Sequence, residues 1–135
     1  MKSIWPKLRS VFNLHNPNGL KLLTRLRLGL SHLREHKFKH NFQDSINPLC
    51  SCGGDIETTE HFFLHCQHYN HLRPTLLNSL VNIDPSLNNM NNKEITNLLL
   101  YGSSKLDSFL NNKILACSIK FIISTDRFSL NLFWA

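Results

Sequence analysis

The stretch from residue 49 to residue 66, LCSCGGDIETTEHFFLHC, constrains the fold of this chain more than any other part of the sequence. It holds three of the four cysteines of the chain, with histidines between the second and the third. Four side chains follow the pattern C-x-C-x8-H-x4-C, and they are Cys50, Cys52, His61 and Cys66. Three thiolates and one imidazole form a closed tetrahedral zinc site, which stabilises a fold and leaves no position open for a substrate. The sequence therefore predicts a structural zinc site.

The residues between these ligands predict how the site is built. Side chains alternate along an extended strand, so the first two cysteines, two residues apart, are expected on one side of it. Gly53-Gly54 can adopt positive φ and turn the chain, which predicts a short β-hairpin whose amide N–H groups face the thiolates. Thr58 or Thr59 is expected to cap a helix that has Glu60 in its first turn.

The spacing leaves the identity of the imidazole ligand open. Five residues along a regular α-helix turn through about 500°, which would place His61 and Cys66 about 140° apart. His65 lies four residues after His61 and directly precedes Cys66. We favour His61, either at the start of the helix or in a distorted helix, and His65 is the alternative.

Composition indicates a small protein in a reducing compartment. The 135 residues suffice for one small domain, in which a zinc ion would supply the stability that a modest core lacks. The first residues lack an apolar run of signal-peptide length, and no apolar stretch reaches the ~18 residues of a membrane span. We therefore expect a soluble protein of the nucleus or cytoplasm, with no membrane partner. Cysteines stay reduced there, which favours a metal site over a disulfide.

Positive charge is concentrated in the first third of the chain. Residues 1–49 hold nine Lys and Arg against two acidic residues, whereas the remainder holds six against seven. Within residues 19–40, leucines recur every three or four positions and predict an amphipathic helix that Gly29 would kink or end early. The candidate nucleic-acid-binding residues on its surface are Lys21, Arg25, Arg27, Arg34, Lys37 and Lys39. Contact with RNA or DNA phosphates is one interpretation of this segment, and a solvated helix face is the other.

The whole sequence predicts a mainly α fold, in which a small helical domain is built around the CCHC zinc knuckle and its short β-hairpin. We divide the chain into a basic helical segment (1–46), the knuckle and the following helix (47–81), an Asn-rich linker (82–92) and a C-terminal helical segment (93–135).

Helix boundaries can be predicted from capping residues and prolines. A first helix is expected at 4–15, and a second would start at Arg73-Pro74. Asn91 or Asn92 would cap a helix that ends before Gly102. The last helix is expected at about 105–125, opened by a capping box of Ser104 and Asp107. Its apolar face is unusually wide, and it must be buried either within this chain or against another protein.

No catalytic residue is predicted. The five aspartates are scattered, without the clustered carboxylates that two-metal chemistry needs. A Gly-rich phosphate loop and a GxSxG motif are both absent from the sequence. Three acidic residues of the knuckle, Asp55, Glu57 and Glu60, are attributed to solubility and helix capping.

Two further sets of reactive side chains are interpreted as structural. Cys117 matches the apolar positions of the last helix, so we assign it to the core. His32, His36 and His40 recur at four-residue spacing, but no cysteine or carboxylate joins them. We interpret them as surface histidines rather than a metal site.

Together, these features resemble the zinc-binding segment at the C-terminal end of reverse transcriptases from LINE-type (non-LTR) retrotransposons. In that family a Leu/Arg-rich helix precedes a Cys-x(1–3)-Cys…Glu-His-x4-Cys finger, and the tail has an aliphatic helix and a Thr-x-Arg-Phe-like sequence. The matching parts of this chain are Leu23 to Arg27, Cys50, Cys52, Glu60, His61, Cys66 and the stretch YGSSKLDSFLNNKILACSIKFIISTDRF. Two features depart from the family: the chain lacks the polymerase, and Gln67 follows the last finger cysteine where proline is common.

The resemblance implies zinc binding and contact with the RNA of the element or with target DNA during target-primed reverse transcription. It implies a non-catalytic fragment of a reverse-transcriptase polyprotein, with the reverse-transcriptase protein as a candidate partner of the C-terminal helix. The function predicted is therefore that of a non-catalytic, zinc-binding nucleic-acid-binding module. The alternative is a structural or protein-docking module, or a decayed transposon fragment, without a nucleic-acid function.

Overall fold

A computed structural model describes residues 17–41 and 47–128 of the chain. The α-helices in this part are α1 (Pro17–Leu28), α2 (Arg34–Lys39), α3 (Arg73–Ile83), α4 (Asn92–Tyr101) and α5 (Ser108–Thr125). Shorter turns are a π-helical turn at His61–His65 and 3-10 turns at Gln67–Tyr69 and Pro85–Asn89. The predicted mainly α fold is confirmed, whereas the helix predicted at 4–15 lies outside the described residues.

The structure does not show the short β-hairpin that was predicted in the knuckle. The described residues contain one isolated antiparallel bridge, between Leu49 and Ile56, and no strand. Cys50 N–H donates to Asp55 O at 2.8 Å, and Gly53 N–H donates back to Cys50 O at 3.0 Å. Gly53 has a φ of +81°. The chain thus reverses within a few residues, which leaves no length for paired strands, and the first two cysteines lie at a tight turn.

The basic segment predicted as one helix at 19–40 forms two helices. Gly29 has a φ of +70°, and its N–H donates to Leu26 O at 3.2 Å. Leu30 N–H donates to Arg25 O at 2.9 Å. This pair of bonds is a Schellman motif, which ends α1 at the glycine that the sequence marked as a kink or an end. The chain then changes direction before α2 begins.

The boundaries of α3 and α4 confirm the predictions made from their caps. α3 begins at Arg73 with Pro74 in its first turn. Asn91 caps α4 through a capping box with Glu94, and Gly102 follows its last residue with a φ of +74°.

The predicted start of the last helix is wrong by about one turn. α5 begins at Ser108, and its cap is Asp107, whose carboxylate accepts a hydrogen bond from Leu110 N at 2.8 Å. Ser104 lies in the preceding turn. Both residue types favour helix caps, and the sequence pattern did not distinguish between them.

Helix α5 lies at the centre of the fold and packs against α1, α3 and α4. It buries Ile114, Leu115, Ile119 and Ile122, each no more than 2% exposed. The wide apolar face of α5 is therefore covered within this chain.

Residues 82–92, predicted as a linker, contain the end of α3 and a 3-10 turn. Leu87 of this turn is 5% exposed and belongs to the same core cluster as the leucines of α1 and α4. Asp84 caps the turn by accepting a hydrogen bond from Ser86 N at 3.1 Å. In the described part of the chain, no helix combines the length and apolarity required to cross a membrane.

Candidate functional site

The four predicted ligand side chains converge on one small volume. One donor atom from each of Cys50, Cys52, His61 and Cys66 lies within 4.8 Å of the others, which makes a Cys3His group that could hold a metal ion. Cys50 Sγ lies 3.7 Å from Cys66 Sγ, and Cys52 Sγ lies 3.4 Å from His61 Nε2. Zn–S bonds of about 2.3 Å and Zn–N bonds of about 2.0–2.1 Å give tetrahedral S···S and S···N edges of about 3.8 and 3.6 Å. The donor set and its spacing therefore fit a tetrahedral zinc ion.

The π-helical turn explains how His61 and Cys66 face the same side. Cys66 N–H donates to His61 O at 2.7 Å, a hydrogen bond between residues five apart. Such a bond widens the turn, so that residues five apart stack along one face. The expectation of about 140° of separation assumed regular α-helix geometry, and the π-turn removes the difficulty. Thr58 Oγ1 accepts from His61 N at 3.0 Å, which confirms Thr58 as the predicted cap.

The structure brings His61, and not His65, to the three sulfurs. His65 is exposed, and its Nε2 lies 2.9 Å from Glu60 Oε2. His61 is 5% exposed, and its Nδ1 is buried without a hydrogen-bond partner in the described part of the chain. The side-chain partner of the ring is therefore Cys52 Sγ at Nε2, and a metal bound at Nε2 would orient the ring in its place.

The protein environment shifts the pKa values of the three thiols in different directions. Gly54 N–H donates to Cys52 Sγ at 3.4 Å, as predicted for the glycine pair, and this hydrogen bond lowers the pKa of Cys52. Burial raises the pKa of Cys50 to about 12 and also raises the pKa of Cys66. Burial lowers the pKa of His61. Desolvation thus disfavours thiolates at two of the positions, and a divalent cation is the kind of ligand that would offset this cost.

Arg73 holds the backbone next to the predicted ligand Cys66, a role that the sequence did not reveal. It is 8% exposed, and its guanidinium donates to Cys66 O at 2.7 Å and to Phe63 O at 2.9 Å. It also donates to Asn70 Oδ1 at 2.6 Å. A positive charge beside Cys66 reduces the net charge of −1 that three thiolates and Zn²⁺ would carry.

A partly buried ion pair between Glu57 and Arg127 is the second feature that the sequence did not reveal. Arg127 donates from Nε to Glu57 Oε2 and from Nη2 to Glu57 Oε1, each at 2.8 Å. Glu57 is 3% exposed. The Thr-x-Arg-Phe sequence at the end of α5 was the available signal, but the two residues are 70 positions apart and sequence spacing does not pair them.

The six basic candidates are divided between α1 and α2. In α1, Arg27 Nε donates to Leu100 O, and its guanidinium lies 5.6 Å from the centre of the Tyr101 ring. Burial lowers the pKa of Arg27. Arg34 of α2 donates to Leu49 O at 3.2 Å. These two arginines therefore contact the protein itself.

The other four basic candidates lie on the same two helices. Lys21 and Arg25 are half-buried on α1, Lys37 is half-buried on α2, and Lys39 is exposed on α2. Lys39 Nζ lies 3.5 Å from Glu35 Oε2.

The histidine triplet does not form a second metal group in the described residues, but its interpretation as surface residues is wrong for His36. His36 is 7% exposed, with its Nδ1 2.7 Å from Ser31 Oγ and its Nε2 3.4 Å from Thr59 Oγ1. The break in the helix near Gly29 turns His36 inward. Cys117 is partly buried against the core as predicted, and burial raises its pKa.

No protein-family model, curated protein or solved structure matches this chain. Any functional assignment must therefore come from the site and the charge distribution.

Proposed function

We propose that this chain is a non-catalytic, zinc-binding module that binds RNA or DNA, as the C-terminal segment of a LINE-type reverse transcriptase would. One observation carries the proposal: three thiols and one imidazole converge within 4.8 Å of one another, and two of the contacts, at 3.7 and 3.4 Å, match the edges of a tetrahedral zinc site. All four positions of such a site are filled by protein, which favours a structural metal over a catalytic one.

The first experiment measures zinc in the purified chain. Elemental analysis should find one zinc per chain, and Cys52→Ser should reduce the content and the affinity. Cys117→Ser is the matched control, because it removes the one cysteine that lies outside the group. Equal zinc loss in both variants, or no zinc in the native chain, would refute the metal assignment.

The charge distribution supports nucleic acid as the partner. Residues 17–41 hold six Lys and Arg against one acidic residue, whereas residues 47–128 hold six against seven. The positive excess thus lies on α1 and α2. Binding through phosphates predicts a steep salt dependence and little sequence preference.

The second experiment compares two variants that each lose four positive charges. The first replaces Lys21, Arg25, Lys37 and Lys39 by Gln, and the second replaces Lys93, Lys105, Lys113 and Lys120 by Gln. We expect the first variant to bind single-stranded RNA and DNA more weakly, with a salt slope smaller by about 0.7 for each phosphate that the variant no longer neutralises. The second should keep most of the affinity. Equal weakening in both, or an affinity of the native chain that does not change with salt, would contradict the proposed role of α1 and α2.

The docking alternative has less support in this structure. That alternative assumed that the apolar face of the last helix is exposed and binds another protein, but this face packs on α1, α3 and α4. The large hydrophobic residue that α5 still exposes is Phe109, which is 65% exposed.

A further inference from the structure

Helix α2 has no N-terminal cap of its own. Leu33 occupies the cap position, and its apolar side chain accepts no hydrogen bond. The first amides of a helix need acceptors from outside it, because no residue of the helix can supply them. A six-residue helix is also too short to be stable by itself.

The missing cap is supplied by Glu57, 23 residues later in the chain. Arg34 N–H donates to Glu57 Oε1 at 2.7 Å, and Glu35 N–H donates to Glu57 O at 3.3 Å. One residue of the knuckle thus satisfies the first two amides of α2, through its side chain and its backbone. The position of α2 therefore depends on the position of Glu57.

Glu57 is held in turn by the knuckle and by the end of α5. It lies between Cys52 and His61, and its N–H donates to Pro48 O at 2.8 Å. Arg127 binds both carboxylate oxygens and also donates to His32 O at 3.0 Å, two residues before α2. A metal that joins Cys52 to His61 would close the loop that carries Glu57.

We infer that Glu57 is a positioning residue, through which the metal centre holds the basic helix α2 in place. Arg127 fixes the carboxylate of Glu57 by binding both of its oxygens. The inference rests on the proposed function, since it explains how a closed zinc site can influence nucleic-acid binding that its own ligands do not perform. Metal occupancy would then set the affinity for a polyanion by fixing Lys37 and Lys39.

The test compares Glu57→Gln with Glu60→Gln in the zinc-loaded chain. Both substitutions remove one negative charge from the knuckle, but the described contact of the Glu60 carboxylate is with exposed His65. The reporters are the amides of Lys37 and His40, which donate to Leu33 O and His36 O. We expect Glu57→Gln to speed their hydrogen exchange about ten-fold, because the single amide oxygen of Gln cannot replace the two carboxylate oxygens that accept from Arg34 N–H and Arg127. Glu60→Gln should leave them unchanged.

Two further readouts separate positioning from general destabilisation. The absorption spectrum of the Co²⁺-substituted chain reports whether the Cys3His group is intact, and the amide of Cys66 reports on the π-turn. Positioning predicts an unchanged spectrum and a Cys66 amide that exchanges at the native rate. If the α2 amides and the Cys66 amide accelerate by the same factor, or if α2 does not change, the inference is wrong.

The change in RNA affinity is expected to have opposite signs in the two variants. Removing an acidic charge should strengthen binding to a polyanion by simple electrostatics, as we expect for Glu60→Gln. Loss of position should instead weaken binding in Glu57→Gln. If Glu57→Gln binds RNA as tightly as Glu60→Gln does, α2 need not be positioned for binding.

A second variant covers the case in which Glu57→Gln fails to fold. Arg127→Lys keeps the charge but cannot make the two-pronged bond to Glu57 together with the bond to His32. It should also accelerate the α2 amides, and unchanged rates would overturn the inference. If the native chain binds no nucleic acid, the exchange experiment still tests the positioning, so the two proposals can fail separately.

Discussion

At the scale of single residues, two histidines four positions apart have different environments. His61 is buried with its Nε2 3.4 Å from Cys52 Sγ, whereas His65 is exposed and contacts Glu60. We therefore expect His61→Ala to lower zinc affinity by a factor of about 100 or more, as the order of magnitude for losing one of four ligands. His65→Ala should leave the affinity within about two-fold of the native value. Competition with a chromophoric chelator measures both, and loss of binding only in His65→Ala would reverse the ligand assignment.

A third histidine predicts a pH effect that is separate from the metal. Ser31 N–H donates to His36 Nδ1 at 3.3 Å, so the folded state requires a lone pair there and a neutral ring. Burial lowers the pKa of His36, and Lys39 and His40 add to this, whereas Glu35 and Glu57 oppose it. Because its folded pKa is below the unfolded value of about 6.5, the unfolded state binds more protons in acid. The stability that neutral His36 contributes is therefore present above about pH 6.5 and is lost as the pH falls toward the folded pKa.

The variant His36→Gln isolates this effect. Both chains lose stability in acid through the zinc ligands, but only the native chain also loses it through His36. The native chain should therefore be more stable than His36→Gln at about pH 7.5, and this advantage should shrink by about pH 5.5. Urea unfolding with excess zinc at both pH values measures the difference. An advantage that stays constant over this range would show that His36 has the same pKa in the folded and unfolded states.

At the scale of elements, two glycines that end helices differ in what surrounds them. Gly102 has φ +74° and ψ −161°, a region that is essentially restricted to glycine, and a Cβ there would lie 2.5 Å from Asn111 Oδ1. Gly29 has a φ of +70° but open space around it. Gly29→Ala should cost about 1–2 kcal/mol of stability from backbone strain. Gly102→Ala should lower the stability further, because the methyl group would clash with the buried Asn111 in addition to about 1–3 kcal/mol of backbone strain.

Asn111 is the reason that the clash matters. It accepts from Ser103 N and donates to Ser103 O, both at 2.8 Å, and so ties the α4–α5 connection to α5. Chemical denaturation of the two alanine variants tests the ranking. Equal losses of stability would mean that the connection can shift to admit a methyl group.

The elements also show what the sequence could predict. The cap at Asn91, the proline at the start of α3 and the glycine after α4 act within one turn, so local sequence was sufficient to find them. At the start of α5 the sequence offered both Ser104 and Asp107 and did not distinguish them. The π-turn was not predictable, because periodicity assumes one helical pitch. Glu57 was assigned to solubility and helix capping, but the helix that it caps and its ion-pair partner Arg127 are far away in sequence and were not predicted. Such long-range pairs are set by the packing of the fold, and no regular sequence spacing predicts them.

At the scale of the whole molecule, the metal site belongs to one hydrophobic core, and the α-helices supply most of that core. Of the 21 buried hydrophobic residues in the described chain, five belong to residues 47–72, and they are Cys50, Phe62, Phe63, Cys66 and Tyr69. The other 16 lie on or beside the α-helices. The two parts meet where Phe62 and Phe63 stack on Phe121 of α5, with ring centres 5.6 and 5.7 Å apart. The sequence predicted a modest core that zinc would have to supplement, and the buried residues on the helices form a larger part of that core than expected.

This division predicts a partial response to removal of the metal. A chelator should increase amide exchange in residues 47–72 and in α2, whereas α3, α4 and α5 should stay helical, unlike short zinc fingers that unfold without metal. Far-UV circular dichroism and hydrogen exchange measure the two parts. Leu115→Ala tests the converse case, because it removes a buried core side chain and leaves the metal ligands in place. The free energy of unfolding should fall by about 2–5 kcal/mol, and zinc should remain bound in the folded state. Complete loss of helix on chelation would mean that the metal, rather than the packing around α5, holds the molecule together.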